Sequence, residues 1–165
     1  MHVNLDTLQT HIDYSHWANR RMLEAAKELS QEELSRDFGT ADKSVLGTLL
    51  HVYGGEVVWI ERVYGTSLKA RPYDAHATLD TLLTAWPPVW ERWRDYVAGL
   101  TPEAAEAKIN YLSFKGDEFH TPVWQIILHI VNHGTHHRGQ AAGFIRAIGK
   151  TPPVLDLTHY YREQR

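Results

Sequence analysis

The segment from Thr121 to Gly149 constrains the fold most, because it has both a start and a stop signal. Thr121 reads as an N-cap, Pro122 fits the first helical position, and Gly149 closes the segment ahead of Pro152-Pro153. About 27 residues at 1.5 Å rise span roughly 40 Å, the length of a full helical bundle. Partners of similar length are present. From Asn4 to Leu29, the residues Leu5, Leu8, Ile12, Ser15, Ala18, Met22 and Ala26 recur at spacings of three and four, which makes one narrow apolar stripe. Ser30 and Glu33 then form a capping-box pattern that starts a short helical turn before Gly39.

A second long helix is predicted from Ser44 as N-cap to about Tyr64, with Gly65 as its left-handed terminator. Leu49, Val52, Tyr53, Glu56, Ile60 and Val63 share one side of it. Gly54-Gly55 in its middle costs about 1 kcal/mol per glycine relative to alanine, which points either to close approach by another helix or a ligand or to a tolerated weak spot. Thr78 opens a third helix carrying Leu82, Leu83, Trp86, Trp90, Trp93 and Val97 ahead of Gly99. Pro87-Pro88 removes two N–H groups within it, so a kink or break is expected at Ala85–Trp86. Between Lys108 and Phe119 the period changes to alternation, with Phe114 to Phe119 as the turn of a small hairpin. The tail, with Leu155, Leu157, Tyr160 and Tyr161, is expected to pack back on the domain. Residues 1–165 therefore read as a single all-α domain, an antiparallel four-helix bundle with a small hairpin before its last helix.

Composition narrows the chemistry. The 165 residues include no cysteine, so there is no disulfide, thiolate metal site or protein thiol nucleophile. A net charge of -3 argues against nucleic acid as a partner. Met1-His2-Val3-Asn4 runs into polar, periodic sequence without an apolar signal region, and the apolar run Trp124–Val131 is far short of a membrane span. The expected location is the cytoplasm, with no membrane partner.

Eleven histidines are the anomaly, and the last helix reads His129-Ile-Val-Asn-His133-Gly-Thr-His136-His137-Arg-Gly-Gln140. Residues four apart on a helix lie on neighbouring turns, so His129/His133 and His133/His137 are both candidate metal-binding pairs. Gln140 lies on the stripe of His133 and could orient a ligand ring or a bound water. His136 points about 100° from His137 and reads as a rim residue. The third ligand would come from His51 on the second long helix. Three neutral nitrogens with an open position are a catalytic rather than a structural arrangement, suited to zinc, nickel, iron or cobalt. No Glu-x-x-His or His-Glu-x-x-His motif is present, which excludes the bundle di-iron and zinc-protease patterns. The tryptophans Trp59, Trp86, Trp90, Trp93 and Trp124 are spaced as core residues, an aromatic wall beside the metal being the second reading.

The phrase Asn132-His133-Gly134-Thr135-His136-His137-Arg138-Gly139-Gln140 resembles the hallmark of the DinB (damage-inducible, YfiT-like) family. So do Trp17-Ala18-Asn19, Leu49-Leu50-His51 with Gly55-Glu56 and Trp59, Lys115-Gly116-Asp117-Glu118, and Leu155-Asp156-Leu157. The resemblance implies a four-helix bundle holding one divalent transition metal per chain on His51, His133 and His137, and commonly a homodimer. Its wider relatives include bacillithiol- and mycothiol-dependent S-transferases, a thiol-dependent maleylpyruvate isomerase and metal-dependent hydrolases. The expectation is a metal-dependent enzyme joining a low-molecular-weight thiol to a small-molecule electrophile, with Gln140 and His136 orienting substrate. The alternatives are a hydrolase that uses the metal to activate water, for which Glu56 sits about 140° around the helix from His51, and a non-enzymatic, stress-related metal-binding module.

Overall fold

A computed structural model describes residues 4–74 and 76–164, so the opening Met1-His2-Val3 lies outside the described residues. Seven helices and two strands follow one another as α1 (Leu5–Lys27), α2 (Gln31–Ser35), α3 (Val45–Val63), α4 (Leu79–Ala98), α5 (Pro102–Glu106), β1 (Lys108–Leu112), β2 (Glu118–Pro122), α6 (Val123–Ala147) and α7 (Leu157–Glu163). The starts expected at Ser30, Ser44 and Thr78 are in place, and Asn4 caps α1 as well. Asn4, Ser30, Ser44 and Thr78 each accept a backbone N–H of the first turn, and Ser30 with Glu33 closes a full capping box. Gly65 and Gly149 take the positive φ that ends α3 and α6.

The four long helices form the bundle. α1 packs on α4 and α6, and α3 packs on the same two. Contacts between side chains give the directions. His51 meets His137 while Trp59 meets His129, so α3 and α6 run antiparallel. Arg94 reaches Asp13 while Trp90 stands by Arg20, so α1 and α4 are antiparallel too. Tyr53 meets Trp86 and Tyr64 meets Tyr96, so α4 lies beside α3 in the same direction. The connection over residues 64–78 is long enough to return the chain to the starting end, which a parallel neighbour requires. No helix is long and apolar enough to cross a membrane among the described residues.

α4 runs unbroken through Pro87 and Pro88, contrary to the break expected at Ala85–Trp86. The two prolines leave the carbonyls of Leu83 and Thr84 without helical partners, and Thr84 is exposed to water. On the opposite side, Trp86 and Trp93 lie two turns apart and both grip Glu56 of α3. Trp86 Nε1 donates to its carboxylate at 2.7 Å and Trp93 Nε1 to its backbone carbonyl at 3.1 Å. Two indoles fixed to one residue hold both halves of the helix in line across the prolines.

The hairpin forms with β1 antiparallel to β2, Lys108 opposite Pro122 and Leu112 opposite Glu118. Its turn is tighter than expected. Ser113 N donates to the Asp117 carbonyl at 2.8 Å and Gly116 sits at φ 91°, leaving Glu118 and Phe119 in the strand. This also moves the start of α6. Thr121 belongs to β2, where its hydroxyl pairs with Tyr111 Oη at 3.1 Å, and is not the N-cap. Pro122 takes the cap position without a side-chain bond, and Val123 N donates to the carbonyl of Ala107 at 3.0 Å. The tail returns as expected: Tyr14 Oη donates to the Leu155 carbonyl at 2.9 Å and Tyr160 is buried, although Tyr161 stays exposed.

Candidate metal centre

His51, in the second turn of α3, faces His133 and His137 on successive turns of α6. One ring nitrogen from each comes within 4.8 Å of the others. His51 Nε2 and His133 Nε2 are 2.9 Å apart, and the ring centroids of the three pairs are 4.3 to 4.9 Å apart. Two acceptors orient the rings from behind. Gln140 Oε1 lies 2.7 Å from His137 Nδ1, and an amide oxygen can only accept, so Nδ1 carries the proton and Nε2 keeps its lone pair. Asp42 Oδ1 lies 3.3 Å from His51 Nδ1 and its Oδ2 lies 3.7 Å from His137 Nδ1, which favours the same tautomer on His51.

Converging lone pairs repel one another unless a cation, or a proton on His133 Nε2, lies between them. Burial and the neighbouring imidazoles push His133 down to about 3, and burial pushes His51 down, so both rings are neutral near pH 7. Three imidazole nitrogens, two of them on rings held from behind by carboxylate and amide oxygens, are the donor set of a zinc-like divalent ion. The group could hold such an ion. Gly55 makes room for the His133 ring: a Cβ there would lie 3.0 Å from His133 Cε1. Gly54 serves the connection between α3 and α4 in the same way, since its Cβ would fall 2.5 Å from the ring of Tyr73.

The other sequence candidates fall outside the trio. His129 is exposed, with its ring edge-on to Trp59 at 5.2 Å and 5.8 Å from the ring of His133. His136 is exposed too and touches the centre only edge-on, 4.9 Å from the ring of His137. Gln140 touches a candidate ligand ring. Trp86, Trp90 and Trp93 are core residues, whereas Trp59 stands beside the histidines.

Glu56 points away from the trio into the core. It accepts from Asn19 Nδ2 at 2.8 Å and from Trp86 Nε1 at 2.7 Å, and Asn19 Oδ1 in turn accepts from Arg138 at 2.7 Å. Burial pushes the Glu56 carboxyl up to about 7 and pulls the Arg138 guanidinium down. The segment Asn132–Gln140 thus divides its work, with His133 and His137 facing α3 and the buried Arg138 fastening α6 to Ser15 and Asn19 of α1.

A cleft of about 170 Å³ opens beside His51 and His133. Its floor is one stripe of α3: His51, Gly55, Val58, Trp59 and Arg62 stand at i, i+4, i+7, i+8 and i+11. That spacing could have drawn Trp59 and Arg62 into the site from sequence. Asp42 had no such signal. It lies in the loop before α3 and reaches the rings only because the chain turns at Lys43, whose φ is 62°.

A model of the DinB family matches residues 1–165, the whole chain. This protein belongs to the DinB family. At the sequence level, this DinB-family chain is 26% identical to Protein DinB of Bacillus subtilis (strain 168) over 158 residues, 90% of each chain. A crystal structure of a DinB-like protein from Bacillus cereus ATCC 10987 shares the fold, with a TM-score of 0.55 and 16% identity over 87% of this chain and 94% of that one.

Proposed function

We propose that this DinB-family protein is a metal-dependent enzyme that transfers a low-molecular-weight thiol to a small electrophile. One observation carries the reading: the three imidazoles converge beside a cleft lined by two arginines and no carboxylate. A divalent ion on His51, His133 and His137 would supply Lewis acidity that makes a thiol acidic near neutral pH. Such chemistry needs no general base. Hydrolysis by metal-activated water is usually assisted by a carboxylate that relays protons to the leaving group, and the nearby carboxylates are committed elsewhere: Asp42 stands behind His51 and His137, and Glu56 is buried against Asn19 and Trp86. Since the chain has no cysteine, the sulfur must arrive with a substrate.

His51 and His137 present their Nε2 lone pairs because Asp42 and Gln140 hold their Nδ1 protons. Trp59 and Tyr73 shelter an incoming molecule from water. The test is conjugation of several thiols to monochlorobimane by metal-loaded protein made without a histidine tag. Metal-dependent conjugation is expected, with about one metal per chain, and both are lost in His51→Ala and His137→Ala. Absence of metal-dependent conjugation with every thiol refutes the reading.

A further inference from the structure

The cleft beside the histidines holds a cation without a counter-ion. Arg62 is 8% exposed, yet none of the ion pairs among the described residues includes it. Its guanidinium is wedged among aromatic rings, 4.5 Å from the centroid of Trp59, 4.7 Å from Tyr111 and 5.9 Å from Phe114. One N–H has an acceptor: Nη2 donates to the Leu112 carbonyl at 3.1 Å. Nε is buried with no partner. A guanidinium offers five donors, and a buried charge is ordinarily paired.

The other arginine in the cleft, Arg71, stands at the mouth with Nη1 donating to Tyr73 Oη at 3.1 Å. The whole chain carries a net charge of -3, but this cleft has two arginines and no acid. The local field therefore opposes that of the whole molecule, and it draws anions towards the histidines. Arg62 and His51 lie on one stripe of α3, about 16 Å apart at the backbone for eleven residues of rise. The arginine side chain leans back along the helix towards the histidine end.

We propose that Arg62 is the specificity-determining residue of a carboxylate subsite. The substrate would carry an anionic carboxylate at the Arg62 end and an apolar body against Trp59 and Phe114. Its reacting group would sit at the histidine end. The substrate class rests on the proposed function, but the subsite itself can be tested without any metal or turnover.

The experiment uses the chelator-treated full chain, with chemical-shift changes of the Trp59 indole reporting titration with phenylacetate and with its uncharged isostere phenylacetamide. Phenylacetate is expected to bind at least about tenfold more tightly, since only the carboxylate can pair with the guanidinium. Raised salt should weaken it. Arg62→Gln should erase the preference and Arg62→Lys should keep part of it, with thermal unfolding and circular dichroism confirming that both variants fold. If Arg62 merely ties the hairpin to α3, the variants lose thermal stability while the preference persists, and the subsite is refuted. Equal binding of the two probes, or binding of neither at millimolar concentration, also overturns it. Carboxylate selectivity without thiol conjugation by the loaded protein would retain the subsite and discard the transferase reading.

Discussion

Asp42 bridges two of the three candidate ligand rings, with Oδ1 3.3 Å from His51 and Oδ2 3.7 Å from His137. A carboxylate behind an imidazole fixes its tautomer and raises its basicity, and removing one typically costs about 10–100-fold in metal affinity. Asp42→Asn should therefore weaken zinc binding by about that factor while helix content stays unchanged. Competition against a chromophoric chelator measures it, and unchanged affinity would mean the carboxylate plays no part. Gly55 makes a test of opposite sign. Alanine there gains up to about 1 kcal/mol of helix propensity, but its methyl group meets His133 Cε1 at 3.0 Å. Gly55→Ala should leave the metal-free protein as stable as before, or more so, while metal affinity falls. Affinity that survives would show that metal binding does not depend on where the His133 ring sits.

At the level of helices, α4 gives the clearest case of packing overriding local preference. Pro88 is exposed, and replacing it with alanine restores an N–H to the Thr84 carbonyl without touching the Trp86 and Trp93 anchors. Pro88→Ala should stabilise the fold by about 1–2 kcal/mol, less than the full helix penalty because proline also stiffens the unfolded chain. Urea denaturation checks this, and a loss of stability would mean that the rigid pair is needed. The same helix marks the limit of sequence reading. Periodicity locates α1, α3 and α6, and the cap at Ser44 the start of α3, because those signals are local, and the i, i+4 histidines are visible for the same reason. The continuity of α4 depends on Glu56, thirty residues from Trp86. The start of α6 was misread because Thr-Pro is a helix-start signal that the return strand of a hairpin had already used. Asp42 escaped notice because a loop has no period. Arg62 did share a period with His51, but a lone arginine on a helix reads first as solvated surface.

For the molecule as a whole, the interior holds titratable groups whose effects on stability have opposite signs. His16 is buried by α4, stacked on Trp90, and faces Arg94 and Arg20 with Arg138 nearby. Burial, then those charges, pushes it down to about 3. Between about pH 3 and 6.5 the unfolded chain binds a proton that the native chain refuses, so this contribution is full above 6.5 and is lost as pH falls. The depressed His133 acts in the same direction. Glu56 does the reverse. With its carboxyl pushed up to about 7, the native state holds a proton that the unfolded state has released above about 4.5. Its contribution is full below about pH 4.5 and fades as pH rises through 7, offsetting one histidine across the shared window. Glu56→Gln removes that offset and leaves the histidines alone. Relative to the parent protein, the variant should gain stability steadily from pH 4.5 to 7, by at most about 1.4 kcal/mol per pH unit. Urea unfolding in the presence of chelator, at a series of pH values, isolates the difference from metal binding. Parallel stability curves for the two proteins would mean that Glu56 stays ionised throughout, paired with Arg138 through Asn19, and that the core tolerates both buried charges at once.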